Sequence, residues 1–130
     1  MAKYSLKKGP KTDVDKTLNA IKQAGMLVAD NERYVIYDLH LNELTVSITE
    51  IKSMQETRGH SHMDASEVYF FVDGRGKMQV GKQEYDVKKG NVILVHRGQF
   101  HKVINLSNQK LIFVTVFEGT RTSKRYQYSS

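Results

Sequence analysis

The stretch Gly59-His60-Ser61-His62-Met63-Asp64-Ala65-Ser66-Glu67, with Gly74 beyond it, decides how this chain is read. A second stretch completes it, running from Gly90 through His96-Arg97-Gly98 and His101 to Asn105. The chain holds five histidines, and four of them fall inside these two stretches. Side chains alternate faces along a strand, so His60 and His62 point the same way. Glu67 opens the next strand pattern and shares a face with Tyr69 and Phe71, while Val68, Phe70 and Val72 take the other. His101 follows the Arg97-Gly98 turn, where a further strand begins. His60, His62, Glu67 and His101 therefore form a donor set for one divalent transition metal. The set is free of sulfur and borderline-hard, so Fe, Mn, Zn, Ni and Co all suit it. Four such ligands leave one or two coordination positions open, the mark of a site that meets a substrate rather than a closed structural one.

Working outward from these residues, the hydrophobic period is two from about residue 33 onward. It predicts strands over Tyr34–Leu39, Leu44–Lys52, Glu67–Val72, Lys77–Val80, Gln83–Val87, Val92–Val95, Lys102–Ile104 and Lys110–Phe117. Asp73-Gly74-Arg75-Gly76, Gly81-Lys82, Lys88-Lys89-Gly90 and Arg97-Gly98 punctuate them as turns. Short, evenly spaced strands with a single proline favour an all-β antiparallel sandwich or barrel. Before them, Asp13–Ala24 reads as a short helix with Asp13 as N-cap, Val14, Leu18 and Ile21 on one face, and Gly25 as its stop. The expected organisation is one domain of 130 residues: an arm and helix over 1–32, a barrel over 33–118 and a basic tail over 119–130. The apolar row Val68, Phe70 and Val72 needs a cover from the helix, the arm or a second subunit.

With 39% hydrophobic and 26% charged residues the composition is that of a soluble globular domain. The chain has no cysteine, so disulfides and thiolate chemistry are excluded, and a reducing compartment is compatible. The lysine-rich start carries no apolar run, so no signal peptide is expected, nor any membrane span, and the cytoplasm is the expected location. The net charge of +6 is gathered in Lys3, Lys7, Lys8 and Lys11 and in Arg121, Lys124 and Arg125. No nucleic-acid-binding motif accompanies it, so these cations read as solvated ends and nucleic acid is not an expected partner.

The two histidine stretches resemble the paired motifs of the cupin superfamily, with His96 where those proteins usually carry proline. His96 itself reads as exposed. The resemblance implies a small double-stranded β-helix (jelly-roll) barrel, His60, His62, Glu67 and His101 as metal ligands, and a homodimer. Within that superfamily, Thr57 to His62, Ala65 to Tyr69, Gly74 to Met78 and His101 to Asn105 look most like the archaeal-type phosphoglucose isomerases. That family binds a sugar phosphate through residues matching Thr57, Gly59 and Tyr69. It also carries a tyrosine and a histidine after its last strand, where this chain has Phe117 and a Glu118–Ser123 segment without histidine.

The resulting expectation is a metal-dependent isomerase or epimerase, glucose-6-phosphate isomerase-like, acting on a sugar or sugar phosphate. It would work through a metal-stabilised enediolate or a hydride shift. Glu67 is the candidate base if its carboxylate leaves the metal during turnover, and Tyr69 is the backup proton carrier. Arg121 and Lys124 read as tail charge before a phosphate clamp. A non-haem Fe(II) dioxygenase and a non-catalytic small-molecule-binding cupin are the alternatives.

Overall fold

The runs rich in valine, isoleucine, threonine and aromatics form strands because branched and aromatic side chains pack well on a pleated surface. The computed structural model describes residues 10–61 and 65–121. One helix, α1 (Pro10–Ala24), precedes nine strands: β1 (Met26–Asp30), β2 (Tyr34–Leu41), β3 (Leu44–Ile51), β4 (Glu67–Asp73), β5 (Arg75–Val80), β6 (Gln83–Lys88), β7 (Val92–Val95), β8 (His101–Ile104) and β9 (Leu111–Glu118). The six-stranded sheet has the order β1-β2-β3-β9-β4-β7 and the three-stranded sheet the order β6-β5-β8. All pairings are antiparallel.

Each strand expected from residue 33 onward is present, with ends shifted by a residue or two. β1 was not anticipated and lies within the stretch read as arm and helix. Its Met26, Leu27 and Val28 are exposed and do not alternate with polar residues, so the pattern carried no strand signal; pairing with β2 orders them. The helix starts at Pro10 rather than after an Asp13 cap. Proline is favoured in a first helical turn because its missing N–H has no intrahelical partner there anyway. Val14, Leu18 and Ile21 are half-buried, as the shared face requires. The helix ends where Gly25 donates its N–H to the Ile21 carbonyl at 2.9 Å. A Cβ on Gly25 would lie 2.5 Å from the Asp38 carbonyl oxygen, so only glycine lets the helix end press this closely on β2.

Register sorts the inner face of the large sheet into rows. Ile36, Thr49, Phe113 and Phe71 align across β2, β3, β9 and β4. Asp38, Ser47, Thr115 and Tyr69 form the next row, and His40, Thr45, Phe117 and Glu67 the one after. The lumen is thus apolar at one end and polar at the other. Ile51, Phe71, Met78, Val87, Val103, Leu111 and Phe113 fill the apolar end as one buried cluster. Each such side chain stabilises the fold by about 1.5–3 kcal/mol through burial. Asn105, fully buried, ties the loops at that end. Its Nδ2 donates to the Ile51, Lys52 and Gln109 carbonyls at 3.1, 3.1 and 2.7 Å, and its Oδ1 accepts from the Ser107 N–H at 3.0 Å.

Segment 55–60 closes the barrel by bridging to β8, with Glu56 opposite Ile104 and His60 opposite His101. Arg33, just before β2, donates from Nη1 to the Glu56 carbonyl at 3.2 Å and seals that seam. On the outer face, Lys22 of the helix pairs with the buried Glu50 of β3, and Lys110 approaches the same carboxylate at 3.4 Å. Burial alone would raise the Glu50 pKa, but the hydrogen bond and charge of Lys22, joined by Lys110, outweigh it and hold the carboxyl below its ordinary value. The row left uncovered by the sequence reading is met in part. Val72 lines a small pocket together with Val14, Leu18 and Ile112 beside the helix, whereas Phe70 stays 38% exposed. No helix among the described residues is long and apolar enough to cross a membrane.

Candidate metal centre

His60, Glu67 and His101 come from the closing segment, from β4 and from β8, and meet in the polar end of the lumen. One ligand atom from each lies within 4.8 Å of the others. Glu67 and His101 are almost wholly buried, and the Nε2 atom of His60 is buried as well. Gly59 sets the turn into His60 at φ +83°, and a Cβ there would stand 2.4 Å from the Phe100 ring. The His60 and His101 rings pack edge to face at 4.5 Å, and Tyr69 stands edge-on to His101 at 5.7 Å.

The hydrogen bonds fix which atoms face the gap. His101 Nδ1 lies 2.9 Å from the Gln99 carbonyl, which can only accept, so Nδ1 carries the proton. Nε2 then faces Glu67 Oε1 at 3.2 Å, and on a neutral ring it would present a lone pair there. That oxygen also accepts from the Tyr69 hydroxyl at 3.3 Å. Two acceptors held at such a distance repel unless a cation lies with them: a proton on His101, or a metal ion. The His60 imidazole converging on the same gap favours the metal, since a proton needs no third donor. Imidazole and carboxylate oxygen are the donors that Zn, Fe, Mn, Co and Ni take, and the Gln99 carbonyl behind His101 is the kind of outer partner that orients a metal-binding imidazole. The residues present therefore fit a divalent ion.

Of the residues singled out in the sequence, His60, Glu67, His101 and Tyr69 are brought together. His62, the fourth expected ligand, lies outside the described residues. Gly59 adjoins the centre through the chain, with its space filled by Phe100. Thr57 is engaged with β8: its Oγ1 accepts the Val103 N–H at 3.0 Å and its own N–H donates to the Val103 carbonyl at 2.9 Å. His96 is exposed, as expected.

Arg121 departs from the reading as solvated tail charge, because its guanidinium is bound to the buried Asp38; Lys124 and Arg125 lie outside the described residues. Asp38 and Ser47 went unnoticed in the sequence, and Arg121 was read only as tail charge. The available signals were a charged residue inside the apolar run of β2 and the repeated hydroxyls Thr45, Ser47 and Thr49. Together these mark an inner face that is polar at one end. His40, left outside the ligand set, lies on the inner face in the Glu67 row; its Nδ1 is 2.9 Å from Thr45 Oγ1, which donates to the Gly119 carbonyl at 2.5 Å.

Two facing antiparallel sheets around such a centre define a double-stranded β-helix. Residues 47–117 match the family model for the cupin domain, and the chain belongs to that family. An uncharacterized protein of Methanocaldococcus jannaschii is 30% identical over 101 residues, covering 78% of this chain and 79% of its own. Among solved structures, an uncharacterized conserved protein with a double-stranded beta-helix domain from Klebsiella pneumoniae superposes with a TM-score of 0.64 at 21% identity, over 71% of this chain and 82% of that one. KdgF from a Halomonas species gives 0.66 at 12% identity, over 75% and 88%. The capsular polysaccharide assembling protein CapF from Staphylococcus aureus gives 0.71 at 17% identity, over 81% of this chain and 33% of that larger one. At these identities the structural likeness is one of fold.

Proposed function

We propose that this cupin is a divalent-metal-dependent isomerase or epimerase of a sugar or sugar phosphate, working in the cytoplasm as a homodimer. The observation that carries the metal is the pair of acceptors, His101 Nε2 and Glu67 Oε1, facing each other at 3.2 Å beside a third converging donor. When bound, the ion supplies Lewis-acid stabilisation of charge on substrate oxygen. Around it, His60 and His101 orient the site, and the Phe71 and Phe113 rings packed behind Tyr69 keep water from its inner side. Glu67, where its carboxylate is not engaged by the ion, would take the proton from the carbon beside the carbonyl and return it to carbon to complete the isomerisation. The Tyr69 hydroxyl, already donating to Glu67 Oε1, steadies that carboxylate and is the backup proton carrier. The exposed Phe70, Val92 and Leu94 on the outer face form the dimer contact in this reading.

The test is elemental analysis of the purified protein, followed by a panel of aldoses, ketoses and their phosphates, with proton exchange at the carbon next to the carbonyl read by NMR. About one equivalent of metal and chelator-sensitive exchange are expected. A metal-free protein indifferent to chelator ends the reading. Oxygen consumption without isomerisation would replace it by an oxygenase.

A further inference from the structure

The end of the barrel away from the metal centre carries a feature of its own. β4 is 7 residues long, so Asp73 stands ~20 Å along the strand from Glu67. Beyond it, the start of β5, the β6–β7 turn and the β8–β9 loop enclose an open groove of about 1160 Å³. Arg75, Lys77, Lys88 and Lys89 line this groove against a single carboxylate, Asp86. Both walls are fixed. The Lys88 N–H donates to Asn91 Oδ1 at 2.8 Å, and the Gly90 N–H donates to the Phe71 carbonyl at 2.8 Å, which bolts the β6–β7 turn to β4. Opposite, the buried Asn105 holds the β8–β9 loop through three carbonyls. A Cβ on Gly76 would lie 2.2 Å from the Ile104 carbonyl oxygen, so glycine is what lets β5 press on that wall.

Register on the β5–β6 hairpin makes the groove electrostatically incomplete. Lys77 stands opposite Asp86, and the two pair at 3.0 Å. Two residues along the same face, Arg75 stands opposite Lys88. Like charges directly opposite each other destabilise a sheet. Among the described residues no carboxylate pairs with Arg75, Lys88 or Lys89, and all three are exposed. We propose that this groove is a second ligand site, separate from the metal centre, and that it binds a diphosphate group. The proposal does not depend on the metal-dependent reading. Cross-strand partners lie about 5 Å apart and neighbours in the chain about 3.8 Å, so three cations meet within the span of two linked phosphates. The arginine fork takes two oxygens of one phosphate, and the two ammonium groups neutralise the other. A lone phosphate or carboxylate would meet only part of that charge. Further along the same face of β6 the charge changes sign at Asp86 and Glu84, which favours a compact anion over an extended polyanion. Leu106, 53% exposed in the lining, offers an apolar surface to whatever carries the diphosphate.

The experiment is isothermal titration calorimetry of the full chain, as purified and after chelator treatment, with pyrophosphate, ADP, inorganic phosphate and a short oligothymidylate at physiological salt. Pyrophosphate or ADP is expected to bind once per chain, with or without chelator treatment, and at least tenfold tighter than inorganic phosphate. A preference for ADP assigns the groove to a nucleoside diphosphate, and the reverse assigns it to the bare anion. Arg75→Gln and Lys88→Gln should each weaken binding tenfold or more. Lys82→Gln, on the turn at the other end of the same hairpin, should leave it within twofold. Should one groove variant fail to fold, the other decides. The proposal is overturned if neither diphosphate binds saturably, if inorganic phosphate binds equally well, or if R75Q and K88Q keep wild-type affinity. Tighter binding of the oligothymidylate would make the groove a nucleic-acid surface instead. Binding that vanishes on chelator treatment would place the anion at the metal centre and equally overturn the proposal.

Discussion

At His101 two demands meet on one ring: the Gln99 carbonyl holds the proton on Nδ1, and Nε2 is left against a carboxylate oxygen that already accepts from Tyr69. A metal ion relieves that opposition without adding a proton. His101→Ala and Glu67→Gln are therefore expected to lower bound metal from about one equivalent to under a tenth, read by inductively coupled plasma mass spectrometry. Retention of metal by either variant would show that the donors lie elsewhere. Asn105 makes the contrast. It shares a sequence motif with His101, yet its amide ties the Ile51, Lys52 and Gln109 carbonyls at the apolar end. Asn105→Ala leaves buried carbonyls without that donor and should destabilise by about 2–4 kcal/mol in urea unfolding. Metal content at low temperature should be unchanged. A loss of metal at undiminished stability would place Asn105 in the site instead.

Among the elements, what could be read in advance was what depends on local alternation. β4 and β9 alternate buried and less buried positions along their length, and the same alternation puts Glu67 and Tyr69 on one face; β2 and β3 show themselves by their branched and aromatic residues. β1 was hidden because its order comes from pairing with β2 rather than from its own pattern. The Asp38–Arg121 pair was hidden for a related reason: 83 residues separate the partners, and no local period links them. The tie between helix and sheet is equally non-local and can be tested by pH. Glu50 is held below its ordinary pKa in the folded state, so its ion pair with Lys22 contributes stability above the unfolded value near 4.5 and loses it as pH falls through the lowered folded value. Glu50→Gln should therefore be less stable than wild type at pH 7, with the difference shrinking progressively below about pH 4.5. A difference in urea midpoint that stays constant from pH 7 to pH 3 would mean the pair contributes through packing alone.

At the scale of the whole molecule, the outer face poses the remaining problem. Helix α1 meets the large sheet at Tyr37, where Lys22 lies 5.5 Å from the ring centroid, and at Glu50, while β4 and β7 form the other end of that sheet. There Phe70, Val92 and Leu94 are 38%, 59% and 53% exposed on adjoining strands, with Phe70 opposite Val92 and Val68 opposite Leu94. Among the described residues β7 is also the last strand of its sheet, so no described strand lies beside its outer edge. An apolar strip next to a free sheet edge is stabilised by covering, and a second copy brings an identical strip through two-fold symmetry. Sedimentation equilibrium should accordingly give roughly twice the 14.9 kDa chain mass at micromolar concentration. Leu94→Lys and Phe70→Lys should reduce it to a single chain, because each places two ammonium groups across the symmetric contact. The metal centre faces the lumen, so both variants should still bind about one equivalent of metal. A wild-type protein that sediments as a single chain, or lysine variants that remain dimeric, would show that this strip is not the contact.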